Sequence, residues 1–180
     1  MGKKTKIDWA DATWNPVTGC LHDCEYCYAR RIAERFGSNL MPIFTKYPVL
    51  DKPVRNLGID AGKIQPYPFD FTPTFHRYRL GEPARWTRPR NIFVCSMADL
   101  FGDWVPDGWI QEVIAVCDAA PQHRYLFLTK NPSRYKELDG IVHWPSFEET
   151  DIEKSRPYMM LGASATNDAQ MKSAYDSDAD

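Results

Sequence analysis

Gly19-Cys20-Leu21-His22-Asp23-Cys24-Glu25-Tyr26-Cys27-Tyr28 puts three of the chain's five cysteines within eight residues. The spacing, Cys-x3-Cys-x2-Cys, lets one short loop wrap its thiolates around a single centre. Tetrahedral zinc prefers two ligand pairs, usually a Cys-x2-Cys and a distant second pair. Here the near candidates for a fourth ligand are His22 and Asp23, and His22 sits too close to both flanking cysteines for a relaxed tetrahedron. An iron–sulfur cube offers four irons, so three cysteines leave one iron for a non-protein ligand, although such cubes usually take four. The stretch therefore reads either as a zinc knuckle or as an open cube.

Outward from the loop, the pattern is that of alternating strands and helices. Ile7, Trp9 and Asp11 alternate, which predicts a short strand ending before Pro16. Tyr28–Phe36 reads as a helix with Ala29, Ile32, Ala33 and Phe36 on one face, its positive end toward the loop, where it favours thiolates. Residues 37–90 are rich in Pro, aromatics and Arg with weak periodicity and no apolar core of their own, so they read as a long irregular insertion. Buried strands are predicted at 91–96, 124–130 and 158–165. Between them lie a helix over 107–119, with Asp107 as cap and Ile110, Val113, Ile114 and Cys117 on one face, and a helix opened by Asn131-Pro132. Strand–helix repetition of this kind means right-handed βαβ units and a parallel sheet, an α/β fold. Cys95 and Cys117 fall in apolar patterns and read as small core residues.

Composition bounds the answer further. The 180 residues suffice for a single domain spanning 1–180, and 43% apolar with 26% charged residues is ordinary globular usage. A net charge of −2 gives no global pull toward nucleic acid. No run of 18 apolar residues exists, and Met1-Gly-Lys-Lys-Thr-Lys6 leads into no apolar leader segment. Three clustered thiols in an odd total fit a reducing, cytoplasmic setting better than a disulfide framework.

Cys20, Cys24 and Cys27, with Tyr26 before the last cysteine, resemble the signature of the radical S-adenosylmethionine superfamily. The blocks Thr13-Trp-Asn-Pro-Val-Thr-Gly-Cys20 and Phe93-Val-Cys-Ser-Met-Ala-Asp-Leu-Phe101 resemble a narrower group within it: phage and bacterial proteins of unassigned function, distantly similar to spore photoproduct lyase. The resemblance covers roughly residues 5–167. It implies a parallel-stranded partial (β/α) barrel of the radical SAM type, truncated after the fourth strand with the last third of the barrel missing, or completed by a partner protein. It also implies a [4Fe-4S] cluster on the three cysteines, with S-adenosyl-L-methionine on the fourth iron. One electron, from a flavodoxin or ferredoxin type donor, would then yield methionine and a 5′-deoxyadenosyl radical that abstracts hydrogen from a substrate.

In such barrels the chemistry sits at the C-terminal strand ends. The cysteines follow the first predicted strand, Ser96 and Asp99 the second, Thr129 and Lys130 the third, and Ser164, Thr166 and Asn167 the fourth. Any one of these polar residues is more commonly a cap or turn former; the convergence of the set points to a site. By resemblance, Tyr26 passes its backbone near adenine, Ser96 and Asp99 meet the methionyl end, and Ser164, Thr166 and Asn167 meet ribose. The family's usual Gly-Gly-Glu is replaced by Ser96-Met-Ala-Asp99. Lys130 faces substrate, where it meets a phosphate or carboxylate, and with Asp99 it makes the catalytic pair. Trp14 and Tyr28 flank the loop, either as shields against water or as core. Arg77, Arg79, Arg85, Arg88 and Arg90, interleaved with Tyr78 and Trp86, read as a nucleic-acid grip or as solvated surface. The rival from another class is a non-enzymatic zinc module that binds nucleic acid through those arginines.

Overall fold

A computed structural model describes residues 5–38, 47–57, 60–142, 144, 158–165 and 171–172. In chain order the elements are β1 (Ala12–Trp14), β2 (Val17–Thr18), α1 (Tyr28–Phe36), β3 (Thr74–Phe75), β4 (Asn91–Val94), α2 (Asp107–Ala119), β5 (Arg124–Thr129), α3 (Ser133–Glu137) and β6 (Met159–Ala163). Strands β1, β4, β5 and β6 form one sheet in that order, and every pair in it is parallel. The expected α/β architecture with a parallel sheet is thus present. Among the described residues no helix is long and apolar enough to cross a membrane.

The sheet has two unlike faces because successive side chains alternate across a strand. Trp14, Ile92, Val94, Tyr125, Phe127 and Met159 share one core cluster with Trp109, Ile110, Val113, Ile114 and Cys117 of α2. The apolar spacing of α2 therefore buries the face its sequence predicts. Thr13, Phe93, Leu126 and Met160 are in register across the opposite face. There the Trp9 ring lies 4.8 Å from that of Phe93.

Several boundaries differ from the sequence reading. Ile7, Trp9 and Asp11 precede the first strand: the Ala10 amide closes a turn on the Ile7 carbonyl, and the strand begins at Ala12. Its length is set by pairing to residues 92–94, not by the local alternation. Helix α1 spans the predicted residues but buries only Ala29 and Ala33, while Ile32 and Phe36 remain exposed. Asp107 is the first residue of α2 and Pro106 the cap, because the Asp107 carboxylate is turned to Arg134.

The insertion is irregular, yet it is fastened to the sheet. Its β3 pairs antiparallel with β2, and two 3₁₀ turns follow at Arg77–Arg79 and Pro83–Arg85. The Trp14 indole donates to the Arg79 carbonyl (2.9 Å), and the Arg79 guanidinium donates to the carbonyls of Asn15 (2.9 Å) and Pro66 (3.1 Å). Buried His76 joins Thr18 at 2.8 Å. Burial, and then the Arg79 charge, lowers the His76 pKa to about 2, so this imidazole is neutral and structural.

Candidate functional site

All four parallel strands end on one side, and their exit loops enclose a cavity of about 200 Å³. That is room for about ten water-sized groups, so the space suits a multi-atom group more than a lone ion. Cys20, Cys24, Tyr26, Cys27 and Tyr28 line it from the exit of β1, and Ser96 and Asp99 from the exit of β4. Thr129 and Lys130 line it from the exit of β5, and Ser164 from that of β6. Phe93 and Leu128 supply its apolar floor from the strands themselves.

The cysteine loop is shaped by backbone contacts on both flanks. The Gly19 amide donates to the Met97 carbonyl (2.9 Å) and the Cys20 amide to the Phe71 carbonyl (3.3 Å). Gly19 has φ +86°, and a Cβ there would lie 2.6 Å from the Phe71 carbonyl oxygen and nearer still to that of Thr72. Asp23 takes φ +53°, a left-handed conformation that Asp tolerates. The Cys27 amide then closes a turn on the Cys24 carbonyl (3.1 Å), and the chain enters α1. Cys27 is the cap of that helix: its Sγ accepts from the Arg30 amide (3.4 Å). The Cys27 thiol therefore stands at the N-terminal end of α1, the loop-then-helix layout expected from the sequence.

The three thiols are partly exposed and free, whereas Cys95 and Cys117 are buried in the core as expected. Burial pushes the Cys20 thiol up to about 11, tempered by a hydrogen bond from the His22 backbone and reinforced by Asp99, Cys27 and Cys24. A metal taking Cys20 as thiolate must displace a proton. Among the described residues no three His, Cys, Asp or Glu side chains converge on the position of one metal ion. A cube does not ask for that convergence, since each thiolate takes a different iron.

Asp99 is the joint of the site. It is 5% exposed. One carboxylate oxygen accepts from the Thr129 hydroxyl (2.7 Å) and the Phe101 amide (3.1 Å). The other accepts from the Lys130 amide and from Nε2 of His22, each at 2.8 Å. A carboxylate only accepts, so Nε2 of His22 is the protonated nitrogen. The His22 ring also sets its edge against Trp104 (4.8 Å). On the far side of Cys24, the Lys130 ammonium donates to the Tyr26 hydroxyl (3.0 Å) and stands over its ring.

Other expected residues fall as follows. The Ser96 hydroxyl donates to the side-chain oxygen of Asn15 (3.1 Å), which also accepts from the Met97 amide (3.0 Å). The Tyr28 hydroxyl donates to the Ser96 carbonyl (2.6 Å), so Tyr28 walls the cavity. Trp14 lies on the helix-covered face of the sheet, wholly buried against Tyr125, and is core. Thr166 and Asn167 lie outside the described residues. Asn15, Gly19 and Phe71 escaped the sequence reading. Only the Gly before a cysteine hinted at one of them.

The Arg-rich stretch is not a free basic face. Arg77 is paired with Glu112 (2.9 Å) and Asp51 (3.2 Å), and Arg79 is spent on backbone carbonyls. Arg90 lies over the Trp86 ring, while Arg85 and Arg88 are exposed. Arg90 directly precedes β4, and none of these three lines the cavity.

A family model described as a protein of unknown function (DUF5131) matches residues 4–177, nearly the whole chain. The chain belongs to the DUF5131 family. No curated protein and no solved structure matches this DUF5131 chain at a significant level. The assignment carries no activity with it, so the chemistry of the DUF5131 site has to be argued from its own residues.

Proposed function

We propose that this DUF5131 protein is a radical S-adenosylmethionine iron–sulfur enzyme whose parallel sheet is part of a (β/α) barrel of that type. One observation carries the reading: the three motif cysteines share one cavity with polar residues from the ends of all four parallel strands. Cys20, Cys24 and Cys27 would hold a [4Fe-4S] cluster and leave one iron for S-adenosyl-L-methionine. When bound, the pair supplies a one-electron cleavage of the sulfonium carbon–sulfur bond and an alkyl radical that takes hydrogen from a substrate.

The chain's own residues bind, orient and exclude water. Tyr26 and Tyr28 wall the cavity on the cysteine side, and Phe93 and Leu128 keep its floor apolar. Ser96 and Ser164 offer hydroxyls to the methionyl and ribose ends. Asp99 serves by holding strand ends and loop together, since its lone pairs are already taken. Lys130 brings the charge that faces the substrate side. The electron comes from a small flavodoxin or ferredoxin type donor. The Arg-rich stretch lends no support to a nucleic-acid substrate here, because two of its five members are tied internally and none of the five lines the cavity.

The zinc alternative needs a fourth ligand from the same loop. Asp23 is paired with Arg30 at 2.6 Å, and His22, with Nε2–H held by Asp99, has Nδ1 as the nitrogen a metal would take. Anaerobic reconstitution with iron and sulfide decides between them. The wild type takes up about four irons per chain with brown absorbance, and Ala at Cys20, Cys24 or Cys27 abolishes it. Cys95→Ala and Cys117→Ala retain it. A protein that holds one zinc and no iron–sulfur absorbance overturns the reading, and a cluster retained in Cys24→Ala overturns the ligand assignment.

A further inference from the structure

His22 and Tyr26 stand two residues either side of Cys24; His22 is tied to Asp99 at the β4 exit and Tyr26 to Lys130 at the β5 exit. Nε2 of His22 reaches the Asp99 oxygen that also accepts the Lys130 amide, while the ammonium of that same lysine reaches the Tyr26 hydroxyl. The chain of contacts closes into a ring: loop, Asp99, Lys130, loop. Cys24 itself is partly exposed and lies in the loop between β2 and α1, outside any regular element, where positions are set by contacts to neighbouring segments.

We propose that His22 and Lys130 form a two-point clamp, anchored on Asp99, that sets the position of the Cys24 thiol before any ligand arrives. Asp99 suits the anchor because it is buried, its Thr129 contact fixes it to the end of β5, and its Phe101 contact closes a local turn. Hydrogen bonds to charged groups hold better than neutral ones, and each half of the clamp contains one. His22 and Lys130 are thereby positioning residues that act through the loop. This inference rests on the cysteine loop being the site, but not on which group the site binds.

The test uses metal-free, reduced full-length protein and reads the alkylation rate of each cysteine by iodoacetamide with peptide mass spectrometry. Opening one half of the clamp frees the loop, so His22→Ala and Lys130→Met each speed alkylation of Cys24 by about tenfold. His22→Gln keeps an amide N–H within reach of Asp99 while removing the imidazole, and it restores the wild-type rate. Cys117, at 0% exposure and away from the cavity, stays protected throughout, which separates loop opening from unfolding. Cys24 rates within about twofold of wild type in both variants overturn the clamp. So does equal behaviour of His22→Ala and His22→Gln, or a parallel rise at Cys117. Failure to assemble an iron–sulfur cluster would sink the proposed enzyme and leave these thiol rates, and the clamp, unaffected.

Discussion

Gly19→Ala is expected to lower the free energy of unfolding by about 3 kcal/mol or more, through strain and overpacking together. Two costs combine at this position. The backbone sits at φ +86°, where an L side chain clashes with its own carbonyl. The added methyl also runs into the backbone carbonyls of Phe71 and Thr72, which cannot swing aside as a flexible side chain would. Those carbonyls belong to the segment that walls the cysteine loop, so relief by backbone movement displaces Cys20, whose amide is bonded to Phe71. Urea unfolding gives the stability loss. A Gly19→Ala midpoint equal to wild type would mean that the close approach of residues 19 and 71–72 is wrong.

Asp99→Ala is the second large effect, with an expected cost of about 4 kcal/mol. Removing the carboxylate leaves the Phe101 and Lys130 amides, the Thr129 hydroxyl and the His22 Nε2–H without their acceptor. An unmade bond at a buried donor costs more than the bond contributes when formed, and four donors lose their partner together. Asp99→Asn keeps one acceptor oxygen and the shape, so it loses about half as much. The same denaturation measurement checks both. An Asp99→Ala protein within about 1 kcal/mol of wild type contradicts the joint described above.

The parts of the fold legible in the sequence were those that repeat locally. Helix α2 was plain because Ile110, Val113, Ile114 and Cys117 mark one face. Strand β5 was plain because Tyr125–Thr129 is a short apolar run, although Tyr125, Phe127 and Thr129 are its only buried residues. The bounds of β1 were not, since they come from pairing with β4, and alternation at Ile7, Trp9 and Asp11 mimics a strand in what is a turn. The cysteines, Ser96, Asp99, Lys130 and Ser164 could be gathered from their places at strand ends. Their wiring could not. That Asp99 binds His22, 77 residues away, is a tertiary fact with no local pattern. Arg79 misled for the same reason: a cation beside aromatics reads as surface, and here it ties carbonyls of distant segments.

The central claim is that three cysteines hold a cube with one iron open to S-adenosylmethionine. Its most direct test is electron paramagnetic resonance of the anaerobically reconstituted, dithionite-reduced protein, recorded with and without S-adenosylmethionine. The account predicts a reduced-cluster signal whose g values shift on addition, as the open iron changes ligand, and which is missing from Cys24→Ala. A signal indifferent to S-adenosylmethionine, or none from a protein that holds zinc, would contradict it.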